Sequence, residues 1–203
     1  MSDKGDIIKK NKELIEQYPF LLPRSVWTGE PIEDYDYTWT ELDEIPEGWR
    51  NVYGMLICED LVRTLGDYAN KFYFVEIKEK YGGLRMYDNG ATEEWYDQLR
   101  KYEHLTECTC INCGKIGVPL TNTGWILPSC RDCYEESAER RYELGWRNIP
   151  SYEEICEKGY HFSPQFNVRR WSKDKGEEII TVDCSDILER VDPKYKVLLQ
   201  KGD

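Results

Sequence analysis

Histidine is scarce in this chain, with two residues in 203, and methionine is nearly so, with three. His104 and His161 lie in no HExxH pattern, and neither a GxSxG nor a Walker-type loop occurs. The familiar hydrolase and nucleotide-triphosphatase signatures are therefore excluded. No catalytic pair can be singled out among 39 acidic residues, so the reading leans away from an enzyme. Long apolar runs are missing too. Nothing approaches the ~20 residues that span a bilayer. The opening MSDKGDIIKKNKELIEQ is charged and lacks a signal-peptide apolar stretch. A cytoplasmic protein without membrane contact is expected. Internal repeats and low-complexity tracts are absent.

Positive charge is also in short supply. Lys and Arg number 27 against 39 Asp and Glu, a net charge of −12, and residues 1–70 alone hold 7 against 15. Generic DNA binding through neutralised phosphates is excluded on that balance. What is plentiful is aromatic: 15 Tyr and 7 Trp within a 40% hydrophobic composition, enough for a packed core.

Of eight cysteines, four sit in two CxxC pairs and four are scattered. In a chain without a secretory leader that pattern reads as metal ligation rather than a disulfide framework. Cys110-Ile-Asn-Cys113, with Gly114 next, is separated by sixteen residues from Cys130-Arg-Asp-Cys133. Zinc takes four sulfurs at tetrahedral angles, and each CxxC turn supplies two. The glycine lets backbone amides turn toward the thiolates. The intervening KIGVPLTNTGWILPS suits a hairpin bending near Thr123-Gly124, and a helix from the second pair aims its positive N-terminus at the thiolates. Cys108 is an alternative ligand to Cys110, although the two-residue spacing favours Cys110. Four thiolates leave no open position, so the expected Zn2+ is structural.

Periodicity predicts helices over 6–17 and 52–69. An acidic, proline-rich aromatic arm lies between them, over 18–49. Two strands follow within KFYFVEIKEKYGGLRMYDNG, turning at Gly82-Gly83. Thr92 caps a helix to about His104, and a zinc-module helix stops at Gly145. Ser151 and Glu154 form a capping box for a short helix ending near Gly159. The tail offers strands FNVRRW and EEIITVD and a short helix, SDILERV.

Two further sites stand out. Lys78, Lys80 and Arg85, with Tyr81 between them, place cations near a Gly-Gly backbone. They read either as an anion-binding site or as a solvated face paired to Glu76 and Glu79. In the arm, Tyr35, Tyr37 and Trp39 alternate with acids. They either stack on a partner or pack on the core while the acids face water. Cys58, Cys156 and Cys184 occupy apolar positions and read as packing residues.

The segment IKEKYGGLRMYDNG, followed by CxxCG and GWILPSCRDC, resembles a family of uncharacterised bacterial and phage-associated proteins. These pair a KEKfGgLRfY-like hairpin with a CxxC…CxxC finger. YPFLLPRSVWTGEPIEDYDYTWTELDEIPEGW is similar to the N-terminal part of phage-borne members, so the likeness covers about 18–134. The resemblance implies a mobile-element origin and action on host machinery.

The expectation is an α+β fold: a small antiparallel sheet with flanking helices and an embedded treble-clef or zinc-ribbon-like module. Its parts are residues 1–105, the finger over 106–147 and a C-terminal extension over 148–203. The expected function is non-catalytic binding, of a small nucleotide-like anion at Lys78, Lys80, Tyr81 and Arg85 or of a host protein through the acidic arm. An unseen hydrolase or nuclease site is the remaining alternative.

Overall fold

The computed structural model describes residues 4–122, 125–156, 163–172 and 176–196. Its central element is helix α2, Glu47–Leu65. Trp49, Val52, Tyr53, Ile57, Leu61 and Leu65 recur at three- and four-residue steps and are all buried. The helix therefore begins five residues before the expected start, because Trp49, assigned to the arm, is its first core anchor. It also stops earlier, at Gly66 with φ 52°, and a 3-10 turn completes 66–70.

Helix α1, Lys4–Gln17, leans Leu14 and Ile15 on the same core. Strands β1, Phe74–Lys80, and β2, Gly83–Asp88, pair antiparallel with Lys78 opposite Arg85. Helix α3, Glu93–Thr106, is capped as expected, the Thr92 hydroxyl accepting from Trp95 N at 3.1 Å. Its Trp95, Leu99, Tyr102 and Leu105 close over α2. Strands β3, Leu120–Asn122, and β4, Ile126–Pro128, form a second hairpin leading into α4, Arg131–Glu143. Helix α5, Tyr152–Cys156, carries the Ser151/Glu154 capping box, with Ser151 N donating to Glu154 Oε2 at 2.6 Å. Strands β5, Gln165–Ser172, and β6, Gly176–Asp183, make a third hairpin, and α6, Ser185–Arg190, returns Ile187 to the core.

The fold is α+β, with its described strands in three separate two-stranded antiparallel hairpins. A lone hairpin is marginal in water, so each must lean on something else. The first supplies Phe74, Ile77, Leu84 and Met86 to the core, where Phe20, Phe72 and Phe74 meet edge to face. The third is held through Phe166, which stacks on His104 at 4.2 Å.

The arm is ordered against the rest of the protein. Tyr18, Phe20, Leu21, Leu42 and Ile45 are buried, and Tyr35 packs on Tyr37 and Trp39. Lys12 lies over the Tyr37 ring, and Asn11 donates to Tyr37 O at 2.9 Å. No described helix is long and apolar enough to cross a membrane. The expected bend at Thr123-Gly124, Gly159 and His161 lie outside the described residues, as does the side chain of Cys156.

Candidate metal centre

The centre is assembled on the main core. Beyond α3, Thr109 is pinned from three sides. Its hydroxyl donates to Leu105 O at 2.7 Å and meets Tyr53 Oη at 2.8 Å, while its carbonyl accepts from Trp49 Nε1 at 2.7 Å. The next residue is Cys110. Gly114 N donates back to Cys110 O at 2.9 Å, closing the knuckle, and Gly114 sits at φ 79°. A Cβ there would meet Val52 Cγ2 at 2.6 Å, so the knuckle lies flat on α2 only because residue 114 is glycine. Gly48 answers from the helix side. Its N–H donates to Ile111 O at 2.9 Å, and a Cβ would strike the Cys110 and Ile111 carbonyls.

From the knuckle the chain runs through β3 and β4, tied back by Ile111 N to Pro128 O at 3.0 Å. Cys130 takes the N-cap position of α4, and Cys133 lies in its first turn. The order along the chain is knuckle, hairpin and helix. The four sulfurs of Cys110, Cys113, Cys130 and Cys133 all lie within 4.8 Å of one another, close enough to hold a metal ion. Cys113 and Cys130 Sγ approach to 3.6 Å.

Crowding four thiols has an electrostatic cost. Burial, and then the neighbouring Cys110, push the Cys113 thiol up to about 11. Burial raises Cys133 further still. Cys110 is held below its ordinary value. Burial opposes this, but the amides of Cys130, Cys113 and Asn112 turn toward its sulfur and prevail. A divalent cation removes the conflict by binding all four as thiolates.

Cys108 is not a member of the cluster. It is buried against the end of α3, its Sγ 3.2 Å from Leu105 O. Cys58 and Cys184 are fully buried, and burial raises each thiol to about 12, which suits packing rather than nucleophilic chemistry.

The cations of the first hairpin sit on neighbouring positions, each engaged with its own partner. Lys78 Nζ pairs with Glu76 at 2.5 Å and lies over the Tyr87 ring. Lys80 lies over the Tyr81 ring. Arg85 points toward α3, reaching Glu107 at 3.5 Å and Glu103 at 3.9 Å. The turn falls at Tyr81-Gly82, one residue before the expected Gly82-Gly83, with φ of 55° and 83°. Gly82 is fixed there by its N–H donating to Glu79 Oε1 at 2.7 Å and by close contact with Leu120 and Ile126 of the metal module. Glu79 also accepts from Trp125 Nε1 at 3.3 Å. The YGG segment thus docks the hairpin on the finger. Gly83 stands in β2, where a Cβ would meet Arg85 Nη1 at 2.8 Å.

Two features escaped sequence reasoning. One is a pair of adjoining cavities, of about 310 and 210 Å³, along α4 beside Cys133, sharing Asn112, Ser137 and Arg141. The helical spacing of Cys133, Ser137, Arg141 and Leu144 was the available signal. The other is Trp27, 93% exposed on the braced loop 24–31. No protein-family model, no curated protein and no solved structure matches the chain.

Proposed function

We propose that the chain is a zinc-stabilised, non-catalytic binding protein whose acidic arm docks on a basic face of a partner protein. Four sulfurs in a closed, half-buried cluster suit Zn2+, which would be held by Cys110, Cys113, Cys130 and Cys133 with no position left for substrate. The ion's part is to lock the knuckle to α4.

The observation that carries the docking reading is the surface around Trp27. Residues 25–49 contain eight Asp or Glu and no Lys or Arg. The indole stands clear of the protein on a loop that is already ordered. Ser25 N donates to Glu30 O and Gly29 N to Ser25 O, both at 2.8 Å, and Arg24 Nη1 donates to Gly29 O at 2.9 Å. A preorganised, exposed tryptophan in an acid-rich segment has the composition of an interface anchor facing an apolar pocket with a cationic rim. The resemblance in sequence would make that partner a host protein. Anion capture by Lys78, Lys80 and Arg85 is the weaker reading, because Lys78 and Arg85 already pair with carboxylates and Lys80 lies over Tyr81.

Native mass spectrometry tests the metal: one zinc per chain is expected, and iron or an apo mass in a folded protein contradicts it. The arm is tested by co-purification with wild type, Trp27→Ala and Glu33→Gln/Asp34→Asn. A partner retained at low salt should be lost from both variants and weakened by added salt. Equal recovery by all three proteins would exclude the arm.

A further inference from the structure

The two cavities beside the metal centre form one groove with chemically different ends. The lobe of about 310 Å³ is lined by Glu136, Arg140, Arg141 and Leu144. The lobe of about 210 Å³ is lined by Ile111, Trp125, Leu127 and Tyr134. Asn112, Cys133, Ser137 and Arg141 line both. One end is cationic and the other aromatic.

Helix geometry sorts the charges. At 100° per residue, Cys133, Ser137, Arg140, Arg141 and Leu144 fall on the groove face, Glu136 and Glu143 at its edge, and Glu135 and Glu139 on the opposite side. Arg140 is paired with Glu136 at 2.7 Å. Arg141 is different. Its Nε donates to Ser137 O at 3.2 Å and its guanidinium lies over the Tyr134 ring, but among the described residues no carboxylate pairs with it. Its terminal nitrogens make no hydrogen bond within the described residues, and Arg141 lines both lobes. The Asn112 amide and the Ser137 hydroxyl also make no hydrogen bond within the described residues. At the other end Trp125 is 68% exposed, its indole nitrogen anchored on Glu79. A ring clamped by its N–H and bare on its face is a stacking platform.

A metal-bound thiolate at Cys133 repels anions, so where the anion sits matters. The Arg141 backbone stands eight residues along the helix from Cys133, a rise of roughly 12 Å at 1.5 Å per residue, but its side chain reaches back over the Tyr134 ring and lines both lobes. The anion site is therefore on the Arg141 cation where the lobes meet, and that cation offsets the thiolate. We propose that this groove binds a small aromatic oxyanion, with phosphate or carboxylate on Arg141 and the ring toward Trp125. A preformed cleft with an apolar wall and a few convergent polar groups is the usual form of a small-molecule site. This site is separate from the acidic arm, and its test does not involve the arm.

The experiment uses the full, metal-loaded chain labelled with 15N, and follows the Trp125 indole N–H signal, identified by its loss in Trp125→Phe. The probes are AMP, benzoate and inorganic phosphate. AMP or benzoate should move that signal, and which of them does so decides between phosphate and carboxylate. Arg141→Ala should weaken binding about tenfold or more, the effect of losing a charged hydrogen-bonding partner. Arg141→Lys should restore part of it, and unchanged metal content in both variants shows that they fold. No movement with millimolar AMP or benzoate overturns the proposal. So does binding that survives Arg141→Ala, or inorganic phosphate binding as tightly as AMP, since the ring would then contribute nothing.

Discussion

Asp60 and Glu41 are both buried acids, and their surroundings drive them in opposite directions. Asp60 accepts from Tyr102 Oη at 2.5 Å, Arg190 Nη1 at 2.8 Å and Gln98 Nε2 at 2.9 Å, joining α2, α3 and α6. Burial alone would raise its pKa. The bonds from Tyr102 and Arg190 outweigh burial and hold the carboxyl below its ordinary 3.8. The stability it contributes is therefore full above that value and lost as pH falls through the lower folded one. Asp60→Ala leaves Arg190 with Glu59 alone and strands two buried donors, and should cost about 2–5 kcal/mol in a denaturant titration. A cost near zero would mean that water replaces the carboxylate.

Glu41 has no such donors. Burial and then Glu44 raise it from 4.5 to about 7, against one hydrogen bond from the Arg24 backbone. Its folded state holds the proton more tightly than the unfolded chain, so stability should fall as pH rises from about 4.5 through 7. Glu41→Gln should flatten that part of the pH profile and raise the melting temperature at pH 8. An unchanged slope would exclude Glu41 as its source. Neither acid was legible in advance. Among 39 carboxylates the sequence marks no individual, because burial and cross-chain donors such as Arg190 belong to the tertiary fold.

Legibility improves at the level of elements, where local chemistry decides. The Thr92 cap, the Ser151/Glu154 box, the α4 stop at Gly145 and the pairing of FNVRRW with EEIITVD all follow from short-range rules. The clustering of the four cysteines was equally legible, because two CxxC turns encode their own geometry. What failed was set by packing between elements. The hairpin turn shifted to Tyr81-Gly82 because Gly82 must meet Leu120 and Ile126. That shift leaves Tyr81 left-handed and 72% exposed. Asn tolerates this conformation better, so Tyr81→Asn should stabilise the protein by about 1 kcal/mol. A loss of stability would show that the ring's contact with Lys80 outweighs the strain.

Gly48 makes the same point with the opposite sign. Inside a helix, glycine to alanine ordinarily gains up to ~1 kcal/mol. Here the added methyl would press on the Cys110 and Ile111 carbonyls, both backbone and unable to yield cheaply. Gly48→Ala should instead destabilise the protein and weaken metal retention in a chelator competition. If it stabilised the chain, α2 and the knuckle would not be in rigid contact.

Across the whole molecule, the four-cysteine cluster is continuous with the core. Gly48 N, Trp49 Nε1 and Tyr53 Oη bind the knuckle and its approach from α2. Ile116 is fully buried in the main core, and its N–H donates to Tyr195 O at 3.0 Å, fastening the C-terminal turn to the same place. The hairpin tip rests on β3 and β4 through Gly82. Without a divalent ion, four crowded thiols must keep protons or separate, and either outcome loosens every one of these attachments. Metal removal should therefore not release a finger from an intact domain. With a strong chelator, near-ultraviolet dichroism from the buried tryptophans and far-ultraviolet dichroism from the helices should be lost together, in one transition. Cys110→Ser/Cys133→Ser should reproduce that loss without chelator. Two separated transitions, or a metal-free variant retaining its near-ultraviolet signal, would mean that the core from α2 to α6 stands without the ion.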